Sequence, residues 1–153
     1  ACTRMGLASF DILVLRMAEI LAPGTGSQMY DYLQSKICFR PIGFDPMLNF
    51  LSLHDAASAL YRSVFAKKQG VFNIPGADSL PLSQVISHWN CTSVPLPEYQ
   101  ISLYYRLRQT FLGGQFRYGM NRRRFHYSGI LDGRRAGSIL RYVPSCPIVW
   151  PDE

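Results

Sequence analysis

Tyr32-Leu-Gln-Ser-Lys36 sets a phenol and an ammonium four residues apart, the spacing at which a lysine on the next helical turn lowers a tyrosine's pKa for proton transfer. The same spacing arises on any helix, and its plainer reading is ordinary helix surface. Gly24-Thr-Gly26-Ser27 invites a phosphate reading. A phosphate-cradling loop of the Walker type needs Lys and then Ser or Thr after its last Gly, and here Ser27 and Gln28 follow. A dinucleotide fingerprint needs a third Gly for close packing of strand and helix, and Met29 holds that place. Neither motif is met.

The remaining candidates are scattered. His54, His88 and His126 form no His-Glu-x-x-His and read as surface or capping side chains. Cys2, Cys38, Cys91 and Cys146 show no Cys-x-x-Cys and read as small buried thiols. The stretch from Phe116 to Tyr142 carries seven Arg against Asp132 alone. It can neutralise nucleic-acid phosphates beside stacking rings, grip the diphosphate of a nucleotide, or serve as a solvated surface. The sequence leaves these three open.

Composition narrows the class. The chain has 153 residues, 48% of them hydrophobic, enough to bury one core. Residues 1–101 hold seven basic and seven acidic side chains and the remainder nine and three, so the net charge of +6 sits in the last third. No apolar run approaches the about 18 residues of a bilayer span, and no basic-then-apolar leader opens the chain. The expectation is a cytoplasmic protein without membrane contact.

The elements that must position these residues alternate. Asp11 to Leu15 is a short, nearly continuous apolar run of the kind a parallel strand buried on both faces shows. Ser27 can cap a helix through about Cys38, with Met29, Leu33 and Ile37 on one face, broken at Arg40-Pro41. Asn49 to Leu53 reads as a strand. Ser52 then caps a helix whose inner face is Ala56, Leu60 and Val64, with Lys67 and Lys68 at its negative end and Gly70 as its stop. Val71 to Ile74 is a strand ended by Pro75-Gly76. Helices follow from Leu82 to Trp89 and from about Pro97 to Leu112, the latter closed by Gly113-Gly114. Strand, helix, strand, helix predicts α/β architecture.

Taken in order, four stretches resemble the extended short-chain dehydrogenases/reductases, the NAD-dependent epimerases and dehydratases. Leu15 to Gly24 resembles that family's strand ending Leu-Arg-Pro-x-Asn-Val-Tyr-Gly-Pro-Gly. Asn49 to Leu60 is similar to Phe-Val-His-Val-x-Asp-Val-Ala-x-Ala-Leu, and Gly70 to Gly76 to Gly-x-Tyr-Asn-Val-Gly. Asp132 to Pro144 resembles Asp-x-Ser-Lys-Ala-x-x-x-Leu-Gly-Trp-x-Pro. The likeness spans about Asp11 to Pro147. In the family the glycine-rich cofactor loop and the Tyr-x-x-x-Lys pair precede the first of these stretches, whereas Tyr32 and Lys36 follow it.

The resemblance therefore implies the carboxyl half of such an enzyme: a partial Rossmann-like parallel sheet plus a small mixed α/β substrate-binding subdomain. Residues 1–153 would be one incomplete domain, with 11–24 the strand and cleft loop and 25–153 mostly the substrate subdomain. Met17 and Ala18 would approach the nicotinamide of NAD or NADP. Arg16, Glu19, Arg122 and Arg135 would face a small-molecule substrate, nucleotide-linked in much of the family. Glu19 stands where the family often has Asn; its carboxylate would repel a diphosphate or bond hydroxyls or an amine, or else pair with Arg16 or a neighbouring Arg. Arg141 stands where the family has Gly. No catalytic residue and no metal ligand is assigned. Cofactor and reactive pair would come from an amino-terminal half, so the chain alone is expected to bind no cofactor, to be inactive and to be marginally stable. The other class is a non-catalytic basic module using residues 117–141 to bind nucleic acid or a protein.

Overall fold

Two serines open helices where the sequence places them. In the computed structural model, which describes residues 12–112 and 116–151, the Ser27 hydroxyl accepts the Tyr30 amide at 3.1 Å and the Ser52 hydroxyl accepts the Asp55 amide at 3.1 Å. Each satisfies a first-turn N–H that has no carbonyl partner. They begin α1 (Gln28–Leu33) and α2 (Leu53–Phe65). The other helices are α3 (Leu82–His88), α4 (Glu98–Leu112), α5 (Tyr118–Asn121), continued by a 3-10 turn over Arg122–Phe125, and α6 (Arg134–Leu140).

Among the described residues, seven short strands join them: β1 (Leu13–Met17), β2 (Glu19–Ile20), β3 (Ile37–Pro41), β4 (Met47–Leu51), β5 (Gly70–Ile74), β6 (Asp78–Pro81) and β7 (Thr92–Leu96). β1 pairs in parallel with β5, from Leu13 opposite Gly70 to Met17 opposite Ile74. The Ala18 amide adds one more bond to the Ile74 carbonyl at 2.9 Å. From Glu19 the chain changes partner, with Glu19 and Ile20 lying parallel to Phe50 and Leu51 of β4. β4 in turn pairs antiparallel with β6, while β3 and β7 form a separate parallel pair. The architecture is α/β, with parallel pairs and one mixed sheet, as expected. Ala18 is where one continuous segment passes between two sheets, and such a crossing leaves a crevice beyond the strand ends.

Two apolar cores flank that crossing. One gathers Leu51, Ala56, Ala59, Phe72, Ile74 and Leu140 around β5, α2 and α6. The other holds Tyr32, Phe50, Ile86, Tyr105, Phe125 and their neighbours. Gly76 joins them, because a Cβ there would lie 1.6 Å from the Phe50 carbonyl oxygen. Only a residue without a side chain lets the β5–β6 turn come this close to β4.

Several expectations are corrected. The helix from Ser27 ends at Leu33, not near Cys38; Ile37, Cys38, Phe39 and Arg40 belong to β3, and Pro41 closes that strand opposite Leu96. The four-residue spacing of Met29, Leu33 and Ile37 suited one helix, but pairing with β7 takes the β-branched and aromatic residues. The inner face of α2 is Asp55, Ala56 and Ala59, while Leu60 and Val64 are 52% and 73% exposed. Small alanines let α2 sit close to Phe72 and Ala136, and the buried Asp55 fixes which face turns inward. Lys67 and Lys68 lie beyond the end of α2, and Gly70, at φ 124°, opens β5 instead of stopping the helix. The strand before α2 runs Met47–Leu51, two residues earlier than expected. Asp11, Cys2 and the Gly113-Gly114 stop lie outside the described residues. Among those described, no helix is long and apolar enough to cross a membrane.

Candidate functional site

The crevice at Ala18 is a half-open cavity of about 150 Å³ whose wall includes Met17, Ala18, Glu19, Asn49, Arg124 and Leu131. Each element brings its share for a local reason. Met17 to Glu19 arrive at the carboxyl end of β1 because that strand is held by β5. Leu131 and Gly129 reach the lip because the Gly129 amide donates to the Met47 carbonyl at 2.8 Å, extending the sheet edge. Arg124 comes from the 3-10 turn, which is anchored by fully buried Phe125.

Glu19 is the polar centre of the wall. Its Oε1 accepts the Ser27 hydroxyl at 2.6 Å, and its Oε2 accepts an N–H of Arg124 in an ion pair. The Glu19 side chain is only 16% exposed and the Arg124 side chain 52% exposed, so the positive partner is the more accessible of the two. Of the alternatives for Glu19, the structure shows pairing with a neighbouring Arg. That pairing cancels the charge that would otherwise repel an anion.

Asn49 supports the floor. Its Nδ2 donates to the Gly76 carbonyl, the Asp78 carbonyl and the Ser79 hydroxyl at 3.1, 2.9 and 2.9 Å, and its Oδ1 accepts the Gly76 amide at 2.8 Å. A buried amide with all these bonds made is a fastener, satisfied by the protein itself.

Of the residues singled out in the sequence, Met17, Ala18 and Glu19 come together. The other three do not line the cavity. Arg16 is exposed on β1, Arg122 forms an ion pair with Glu98, and Arg135 lies over the Phe72 ring at 5.0 Å from its centroid. Arg134 is bound to Asp132, whose exposed carboxyl its hydrogen bonds pull down to about 2. The basic stretch thus spends Arg122, Arg124 and Arg134 on carboxylates and Arg135 on an aromatic ring.

Tyr32 is not helix surface. It is fully buried, its hydroxyl donates to the Phe39 carbonyl at 3.1 Å, and burial, with Cys38 nearby, pushes its phenol far above its usual range. Lys36 is exposed and falls after α1 ends. The pair cannot move protons together. Cys38 is buried and its thiol raised, chiefly by burial, whereas Cys91 and Cys146 are only partly buried.

Sequence reasoning missed Arg124 and Asn49. Nothing distinguishes Arg124 from Arg122 and Arg123 in a run of three. Asn49 did carry a signal, since an amide inside the apolar run Met47 to Leu51 must find buried partners.

No protein-family model matches the chain. Over 136 residues it is 29% identical to uncharacterised proteins of Mycobacterium tuberculosis and Mycobacterium bovis, covering 87% of this chain and 35% of theirs. It shares its fold with part of several solved enzymes. One is a UDP-glucuronic acid 4-epimerase of Bacillus cereus in complex with UDP-glucuronic acid and NAD, at 13% identity and TM-score 0.58, covering 90% of this chain and 41% of that one. Another is the Bordetella bronchiseptica enzyme WbmG in complex with NAD, at 14% identity and TM-score 0.60, covering 92% and 40%. A third is ADP-L-glycero-D-manno-heptose-6-epimerase of Helicobacter pylori, at 14% identity and TM-score 0.56, covering 90% and 40%. The chain thus spans about a third of the curated relatives and two fifths of the solved chains.

Proposed function

We propose that this chain is the substrate-side half of an NAD(P)-dependent epimerase, dehydratase or reductase acting on a nucleotide-linked sugar. The observation that carries the reading is the placement of Met17, Ala18 and Glu19 at the exit of a parallel strand, on the wall of a cavity that Arg124 closes from the other side. In open α/β sheets ligands meet the carboxyl ends of strands.

The size of the cavity supports a shared site. Pockets that enclose a drug-sized ligand measure roughly 300–1,000 Å³, so a half-open cavity of about 150 Å³ is one wall of a larger site, with the rest of the ligands extending beyond it toward a second half. Met17 and Ala18 would hold the nicotinamide ring, whose chemistry when bound is to take and return hydride. Their backbone is already fixed by β5 through the Ala18 amide, so it would orient that ring without reorganising. The Arg124 guanidinium, held by Glu19, would meet a substrate phosphate, carboxylate or hydroxyl, and apolar Leu48, Phe50 and Leu131 would exclude water.

The 153 residues contain no Gly-x-x-Gly-x-x-Gly, and Tyr32 with Lys36 is their one Tyr-x-x-x-Lys. Tyr32 is buried. The chain alone therefore has no hydride-transfer activity, and its partner is a cofactor-binding half. α2 suits such a partner, for it exposes Leu53, Leu60, Tyr61, Val64 and Phe65. Isothermal titration with UDP and UDP-glucuronic acid tests the reading: binding with Kd below about 1 mM, lost in Arg124→Ala, supports it. No heat at millimolar ligand, or binding indifferent to Arg124, overturns it.

A further inference from the structure

His54 and Cys146 stand 92 residues apart in sequence, yet the Cys146 thiol and the His54 Nδ1 meet at 3.2 Å. Asp55 Oδ1 lies 3.6 Å from the same nitrogen, and all three donor atoms fall within 4.8 Å of one another. The arrangement excludes a catalytic relay. In a thiol–imidazole–carboxylate relay the thiol and the carboxylate use opposite ring nitrogens, whereas here both approach Nδ1. Three donors converging on one point is the geometry of chelation.

We infer that His54, Cys146 and Asp55 form a site for a borderline-soft divalent cation such as zinc, clamping the start of α2 to the segment after α6. A tetrahedral ion holds sulfur at about 2.3 Å and imidazole nitrogen at about 2.0–2.1 Å, which places those two atoms about 3.5 Å apart, so the pair needs to open by only a few tenths of an ångström. Asp55 has capacity left. It takes the Ser145 amide at 3.0 Å and the Cys146 amide at 3.1 Å on Oδ2, and the Ser145 hydroxyl at 3.1 Å on Oδ1. A carboxylate offers about four lone pairs, and one on Oδ1 remains toward His54.

The bonds to Oδ2 also fix the backbone of Cys146, so the thiol is positioned before any ion arrives. His54 is 72% exposed, which gives the ion an entry path and leaves the fourth position to water. Thiolate and carboxylate together balance the charge of the ion. Binding releases the thiol proton, since the thiolate is the ligand. The site lies apart from the cavity at Ala18 and stands or falls independently of it.

Cobalt(II) titration of the protein, followed by the thiolate-to-cobalt charge-transfer band, reads the site directly. The band should saturate at one equivalent, vanish in Cys146→Ser, require at least tenfold more cobalt in His54→Gln, and be displaced by zinc. Alkylation of wild-type Cys146, mapped by peptide mass, should slow at least tenfold with one equivalent of zinc, a readout that needs no variant. Absence of the band at one equivalent, its survival in Cys146→Ser, or Cys146 alkylation unchanged by zinc would overturn the inference.

Discussion

Glu19 and Arg124, 105 residues apart, form an ion pair across the mouth of the cavity, with the Ser27 hydroxyl on the other carboxylate oxygen. The pair ties the exit of β1 to the 3-10 turn and presents the guanidinium outward. Because Glu19 is mostly buried and Arg124 half exposed, their coupling lies between that of a surface pair and that of a buried one. A double-mutant cycle of Glu19→Gln and Arg124→Ala in urea denaturation should give a coupling energy of about 1 kcal/mol. Additive losses would mean that the two side chains do not hold the cleft together.

Asp55 sets an acid limit on stability. Burial raises its carboxyl, but the amides of Cys146 and Ser145, with the Ser145 hydroxyl, outweigh burial and hold it below its usual range. A folded-state value below the unfolded one stabilises the protein above the unfolded carboxylate value of about 4, and that contribution is lost as pH falls through the folded value. Asp55→Asn should cost about 1–3 kcal/mol at neutral pH and should flatten the decline in stability below about pH 4. A variant with the acid profile of the parent would contradict this.

Arg141 explains one departure from the family pattern. It caps α6 at φ 54°, ψ 30°, in the left-handed region, where the resembled family has Gly. That conformation costs an L-residue about 1–2 kcal/mol, of which Gly gives back about 0.5–1 through its freer unfolded chain. Arg141→Gly should therefore gain about 0.5–1 kcal/mol, read as a higher urea midpoint at unchanged slope. A loss of stability would show that the Arg141 side chain contributes more than its backbone costs.

What the sequence showed follows from how local each signal is. Ser52 with Asp55, and Val71 to Ile74 before Pro75-Gly76, are contiguous patterns, and both stand where expected. β3 and β7 were missed because each takes its strand pairing from the other: Cys38 lies opposite Ser93, 55 positions away, and no window of a dozen residues contains that pairing. α2 was turned the wrong way because the larger apolar residues were given the core, whereas the packing selects Ala56 and Ala59. In the site, Met17 to Glu19 were legible as the end of a strand. Arg124, and the meeting of His54 with Cys146, depend on the tertiary path alone.

The basic stretch bears on the competing class. With Arg122, Arg124 and Arg134 paired to Glu98, Glu19 and Asp132, three of the seven Arg of the stretch already have carboxylate partners and release fewer counterions from a phosphate backbone than free cations would. Fluorescence anisotropy with duplex DNA and single-stranded RNA near physiological salt should show no binding tighter than about 0.1 mM. Micromolar affinity that falls steeply with salt and disappears on replacing Arg122, Arg123 and Arg124 by Ala would favour the binding module.

The crevice at Ala18 is proposed to receive a nucleotide-linked sugar. Amide NMR of the isotopically labelled chain titrated with UDP-glucuronic acid tests it residue by residue. Saturable shifts concentrated at Met17, Ala18, Glu19, Arg124 and Leu131 are expected. Shifts confined to other surfaces, or none at millimolar ligand, would contradict it.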